Sequence, residues 1–156
     1  MESDSSPREQ LPSISVDGLG EALSPKVIDH LTSPRNMGEF RIPDGFGRAS
    51  IPCGDSMQIC LRVSQDLILE ARFMTDGCGP VIACGSMATD LVRGKTISEA
   101  MALTDHDIMI GLDGLPDSET HCATLAINAL KRALMDYLAF RREPWKRAYR
   151  QVEPCR

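Results

Sequence analysis

The sequence predicts an α+β domain, built as a small three-stranded antiparallel sheet with helices packed on one face. The first observation behind this is an alternation: Met57, Ile59, Leu61 and Val63 are interleaved with Gln58, Cys60, Arg62 and Ser64, the period of a half-buried strand. Gln65-Asp66 supplies a turn, and Leu67 to Thr75 returns with Ile68 and Phe73 among its apolar positions. The third is a change of period after Cys78, where Val81, Ile82, Met87, Ala88, Leu91 and Val92 repeat at helical spacing. Strands that follow one another without intervening helices give an antiparallel α+β layer, not a parallel α/β sheet.

Taken in order, residues 1–22 are dominated by Ser, Asp, Glu and Pro, their few apolar side chains show no period, and the segment reads as a disordered extension. The folded domain is expected over 23–142. Its first helix starts at Ser24 as N-cap with Pro25 in the first turn, and stops near Thr32 before Ser33-Pro34. Arg35 to Arg48, rich in Gly and Pro, is expected to be loop, and Ala49 to Pro52 a short strand. Pairing of the next two strands leaves Cys60 on the polar face. After Cys78 a helix is expected up to Gly94, with Pro80 in its first turn. Short helices from Ser98 and Asp105 precede a loop from Gly111 to Ser118. The last helix runs from Glu119 or Thr120 to about Arg142, ended by Pro144, and residues 143–156 form a basic tail.

The chain has 156 residues, of which 42% are hydrophobic, enough for one core. No apolar run approaches the roughly 20 residues that cross a bilayer, and no signal-peptide apolar region is present, so a cytoplasmic protein without membrane association is expected. In such a reducing compartment the six cysteines are not expected to pair. The net charge of −5 conceals an asymmetry, because residues 131–156 carry eight basic side chains against three acidic ones. A solvated helix face with a tail is the plain reading of that run. An acidic protein surface is a better partner for it than nucleic acid.

Three cysteine-bearing segments carry the chemistry: Pro52-Cys53-Gly54-Asp55, Asp76-Gly77-Cys78-Gly79-Pro80 and Thr120-His121-Cys122. Together they offer three thiols, an imidazole and a carboxylate to one metal. Thiolates select zinc, copper(I) or an iron–sulfur cluster. The ligands come singly from distant segments and not as C-x-x-C knuckles, so a folded domain must assemble the site. The same lack of a C-x-x-C pair argues against a thiol oxidoreductase. Cys78 and Cys122, each expected at a helix N-terminus, should have lowered pKa values there. Glycines at 54, 77 and 79 suit a backbone that must admit and release cargo, although each is also an ordinary turn residue. Cys84 reads as a small buried hydrophobe pointing away from Cys78, His30 as structural, His106 as exposed, and the methionines as core.

The residues flanking these cysteines resemble the IscU/NifU-type iron–sulfur cluster assembly scaffolds. The resemblance covers Lys26-Val-Ile-Asp-His30, Ser33-Pro-Arg-Asn-Met-Gly38, Pro52-Cys-Gly-Asp55, Gly77-Cys-Gly79, Leu115-Pro116 and His121-Cys122, in the family's order, from about Leu23 to about Arg142. It implies the SufE/NifU-like fold, with Cys53, Cys78 and Cys122 as cluster-binding cysteines and His121 and Asp55 as further ligand candidates. It implies a carrier and not an enzyme: sulfur accepted from a cysteine desulfurase with Cys122 as persulfide acceptor, iron received, a [2Fe–2S] cluster built and passed to apo-ferredoxin or another apo-protein. Where the family's chaperone motif reads Leu-Pro-Pro-Val-Lys, this chain has Leu115-Pro116-Asp117-Ser118-Glu119, so a dedicated chaperone is not a firm expectation. The alternative from another class is a zinc protein holding zinc with the same ligands, structurally or as a zinc-dependent sulfurtransferase.

Overall fold

The computed structural model describes residues 23–52 and 54–145. Expectations for the N-terminal extension, for Cys53 as a ligand, and for the tail beyond Trp145 with its Cys155 therefore lie outside the described residues. The elements are α1 (Pro25–Thr32), β1 (Gly45–Ser50), β2 (Ser56–Ser64), β3 (Leu67–Thr75), α2 (Gly79–Val92), α3 (Ile97–Met101), α4 (Asp105–Gly111), a 3-10 turn (Asp117–Glu119) and α5 (Thr120–Arg142). The three strands form one antiparallel sheet in the order β1-β2-β3. On one face α5 packs against β1 and β2 while α2 packs against β3, with α1 against α2 and α4 against α5. Met57, Ile59, Leu61, Ile68 and Phe73 face these helices and are fully buried.

Local chemistry sets most boundaries. The Ser24 hydroxyl oxygen accepts the Val27 N–H at 3.1 Å, and Pro25 occupies the first turn, so α1 starts where its capping residue stands. The β2–β3 connection is a two-residue turn with Gln65 and Asp66 at φ 51° and 62°, the left-handed pair that matches the twist of a hairpin. Asp66 is gripped from the far end of α5, accepting the Tyr137 hydroxyl at 2.9 Å and pairing with Arg141 at 2.8 Å. The third helix begins at Ile97 and not Ser98, because Thr96 caps it by accepting the Glu99 N–H at 3.2 Å. The second ends at Val92, two residues short of Gly94, and the expected 111–118 loop closes in the 3-10 turn.

Two expectations are corrected. The first strand is Gly45–Ser50, inside the segment expected to be loop, and not Ala49–Pro52. Glycine has low strand propensity, which hid it, but here small size is what packing demands. A Cβ on Gly47 would lie 2.3 Å from the Ala133 nitrogen and 2.4 Å from the Ala129 oxygen, and one on Gly45 would lie 2.5 Å from the Ala133 oxygen. The backbone of β1 thus runs directly against the backbone of α5.

Cys60 is the second correction. It lies on the sheet face away from the helices, as its alternation requires, yet it is fully buried. Phe40, from the loop before β1, covers it, with Phe46 and Met74 packed alongside and the Arg62 and Arg72 guanidinium groups stacked 4.7 and 4.6 Å from the Phe40 ring centre. A face that is polar by pattern is made apolar by one aromatic from a loop. Cys60 is moreover disulfide-bonded, whereas Cys78, Cys84 and Cys122 are free thiols. The expectation that no cysteine pairs is thereby overturned.

Candidate functional site

The two helices that bear on the site begin at its cysteines. Cys78 is the N-cap of α2, extended in backbone and exposed, and Pro80 in the following turn needs no N–H partner. Cys122 lies in the first turn of α5, fully buried, with His121 beside it at the surface. Ser56 and Asp76 brace the neighbourhood. The Ser56 N–H donates to Asp76 Oδ1 at 2.8 Å and its hydroxyl donates to Oδ2 at 3.2 Å, holding the carboxyl below the usual carboxylate range.

Asp55 follows a turn closed through the backbone, in which Ile51 N–H donates to the Asp55 carbonyl at 3.0 Å and Gly54 N–H to the Ile51 carbonyl at 2.9 Å. Gly54 has φ of 102°, a conformation that favours glycine, with open space where a Cβ would be. Among the described residues the Asp55 carboxylate takes no hydrogen bond in this turn, and it is not within ligand distance of His121 and Cys122.

What the structure does bring together at ligand distance is Glu119, His121 and Cys122, whose donor atoms all lie within 4.8 Å of one another. Cys122 Sγ is 3.5 Å from Glu119 Oε2 and 3.6 Å from His121 Nε2. Glu119 is absent from the ligand set expected from sequence. The available signal was its spacing, three residues before Cys122, which places both side chains on one side of a helical start.

The expectation of a lowered Cys122 pKa is also corrected. Burial pushes the thiol well up, and the negative partners Cys84 and Glu119 push it further. The positive end of the α5 dipole does not outweigh removal from water. Cys84 is buried in the core as expected, and its thiol is pushed up to about 12 by burial first and by the Glu119 and Cys78 charges after it.

His30 is structural. Its Nδ1 is 2.7 Å from the Ser86 hydroxyl, and Arg35 approaches the ring to 3.0 Å. His106 is exposed.

A model of the family described as "NifU-like N terminal domain" matches residues 22–143, most of the chain. The chain belongs to this family. This NifU-like domain is 44% identical over 115 residues to the iron–sulfur cluster assembly scaffold protein IscU 1 of Archaeoglobus fulgidus, covering 73% of this chain and 75% of that protein. It is 45% identical over 121 residues to the iron–sulfur cluster assembly scaffold protein IscU of Escherichia coli K12, covering 74% and 94% respectively. Among solved structures it is similar to a crystal structure of a hypothetical protein, with 29% identity, a TM-score of 0.59, and coverage of 70% of this chain and 94% of that one. The fold is thus the NifU-like one that the resemblance implies, and its three-stranded antiparallel sheet is the one expected from the strand pattern. No helix among the described residues is long and apolar enough to cross a membrane.

Proposed function

We propose that this protein is a scaffold on which iron–sulfur clusters are assembled, a carrier and not an enzyme. The observation that carries the reading is the meeting of Cys122 and His121 at the start of α5 within electrostatic reach of Cys78 at the start of α2, in a chain whose relatives are scaffold proteins by name. Cys53, Cys78 and Cys122 would hold the cluster, with Asp55 or His121 as a further ligand, and the cluster proposed is [2Fe–2S]. Soft thiolates suit the iron–sulfide core, and a hard carboxylate among them gives a weaker point of attachment. Zinc suits the same donors, but the scaffold names of the relatives favour a cluster.

Sulfur would come from a cysteine desulfurase. The Cys122 thiolate attacks the outer sulfur of the enzyme's persulfide, a new S–S bond forms on Cys122, the enzyme's own S–S bond breaks, and its cysteine leaves as thiolate. A buried thiol with a raised pKa is a poor nucleophile, so Cys122 must first lose its proton, either to a base or to solvent when a metal displaces it. The finished cluster would pass to an apo-protein such as apo-ferredoxin. The basic face of α5 offers an acidic partner less charge than its composition suggests at one position, since Arg141 pairs with Asp66 at 2.8 Å.

Anaerobic reconstitution with iron, sulfide and a desulfurase tests this. Two irons and two sulfides per chain with visible charge-transfer absorption are expected, lost in Cys122→Ser. Purified protein that carries stoichiometric zinc and refuses a cluster after zinc removal would overturn the reading.

A further inference from the structure

We propose that Glu119 is a metal-ligating residue, completing with His121 and Cys122 a three-donor site that receives a single borderline divalent cation, iron(II) in the cell, before sulfur arrives. The inference rests on the scaffold reading for the identity of the cation, and on geometry for the site.

The first argument is distance. A tetrahedral ion with metal–sulfur bonds of about 2.3 Å and metal–nitrogen or metal–oxygen bonds of about 2.1 Å sets its donor atoms about 3.6 Å apart across each sulfur-containing edge. Cys122 Sγ stands 3.5 Å from Glu119 Oε2 and 3.6 Å from His121 Nε2. Both edges already have the spacing a bound ion requires. Hydrogen bonds of the Cys122 sulfur to both groups hold the three donors at this spacing before an ion arrives.

A second observation concerns what Glu119 does not do. It occupies the N-cap position of a 23-residue helix, where a side chain ordinarily accepts an N–H of the first turn, yet it makes no capping bond and its carboxylate turns to the Cys122 sulfur. The carboxylate gives up a role that its backbone position offers.

Charge argues the same way. A cation at the start of a helix meets the positive end of the dipole, which disfavours it. Glu119, with Asp117 in the same 3-10 turn, supplies negative charge where the ion would sit. Accessibility is graded inward: His121 is exposed, Glu119 half-buried and Cys122 buried, so an ion can be met at the surface and drawn to the thiol. Binding replaces the Cys122 thiol proton, which leaves to solvent, and the charge balances. Three protein donors leave a fourth position for an incoming sulfur ligand.

The test is an anaerobic titration of the full, reduced chain with cobalt(II), which reports thiolate ligation through its sulfur-to-metal charge-transfer band. The wild type is expected to bind one equivalent with that band, and Cys122→Ser to lose it. Glu119→Gln should weaken binding at least tenfold with an unchanged melting temperature, while Glu70→Gln, a β3 carboxylate paired with Arg62 and Arg72 and outside the site, stays within about twofold. Absence of cobalt binding in the wild type, an unchanged affinity in Glu119→Gln, or a loss in Glu70→Gln as large as in Glu119→Gln would each overturn the proposal. Cluster reconstitution on the same preparations separates the two readings. A wild type that binds cobalt through Glu119 but builds no cluster removes the scaffold function and leaves the site, whereas one that builds a cluster without Glu119-dependent binding does the reverse.

Discussion

Ser56 and Asp76 join the foot of β2 to the end of β3, the serine N–H donating to the carboxylate at 2.8 Å. Through this bond the strand that follows Asp55 and the segment that enters Cys78 are kept in one geometry. Replacing Asp76 by Ala leaves the Ser56 N–H without its carboxylate partner. A melting temperature lowered by a few degrees and a weaker hold on the cluster are expected, the first modest because the group is solvent-screened. Differential scanning calorimetry and cluster lifetime together check it. An unchanged lifetime would show that the brace serves stability only.

Gly47→Ala should be more damaging than its single methyl suggests. The new Cβ meets backbone atoms of Ala133 and Ala129 at 2.3 and 2.4 Å, and backbone cannot rotate away as a side chain can. Overpacking of this kind costs roughly 1–3 kcal/mol or more. Urea denaturation should show the midpoint lowered accordingly, and a Gly47→Ala variant as stable as the wild type would mean that α5 can lift from β1.

These two relationships differ in how far the sequence disclosed them. The alternation from Met57 to Val63, the Ser24 cap and the helical period after Cys78 state their structures locally, so β2, α1, α2 and α5 are legible. The first strand is not, since Gly45 and Gly47 are explained only by a helix about 85 residues later in the chain. Cys60 looks polar because alternation cannot foresee that Phe40 folds over that face. Cys122 stands at the helix start that its sequence indicates, but its thiol is governed by burial and by Glu119, and burial is a property of the assembled core. The Glu119, His121 and Cys122 grouping is readable in part: the last two are expected, while the motif around Cys53 directs attention to Asp55 for the carboxylate.

His30 supplies a pH dependence. Burial, and then the Arg35 guanidinium, depress its pKa below the ordinary value of 6.5, so folding favours the neutral ring. Its contribution is whole above 6.5 and is lost as the pH falls from there through the lower folded-state value. Chemical denaturation on either side of pH 6.5 should find the wild type weakening on the acid side, and His30→Gln should flatten that slope while losing stability at neutral pH.

Among the cysteines, Cys53→Ser, Cys78→Ser and Cys122→Ser are each expected to abolish stable cluster reconstitution. Cys84→Ser should retain it, at a cost in stability from placing a hydroxyl in the core where the thiol is now packed. Iron and sulfide analysis of the four proteins decides the matter, and a cluster lost in Cys84→Ser but kept in Cys53→Ser would reverse the assignment.

Asp55→Ala tests whether the carboxylate governs release. The turn before it is closed by backbone hydrogen bonds, so the fold should persist. A longer-lived cluster and slower transfer to apo-ferredoxin are expected, each by several-fold. A destabilised protein with a shorter-lived cluster would assign Asp55 to the turn alone.

The contact of β1 with α5 has a consequence for how cargo could leave. Backbone pressed against backbone at Gly45 and Gly47 allows no sliding, and the Asp66 grip on Tyr137 and Arg141 fixes the other end of the helix. His121 and Cys122, carried in the first turn of that same rod, therefore share its fixed position. Any give that lets cargo out is then expected away from this helix, and Gly54, with open space where a Cβ would stand, is one place that could supply it. Departure would then be unilateral: one side lets go while the other keeps its aim toward the recipient.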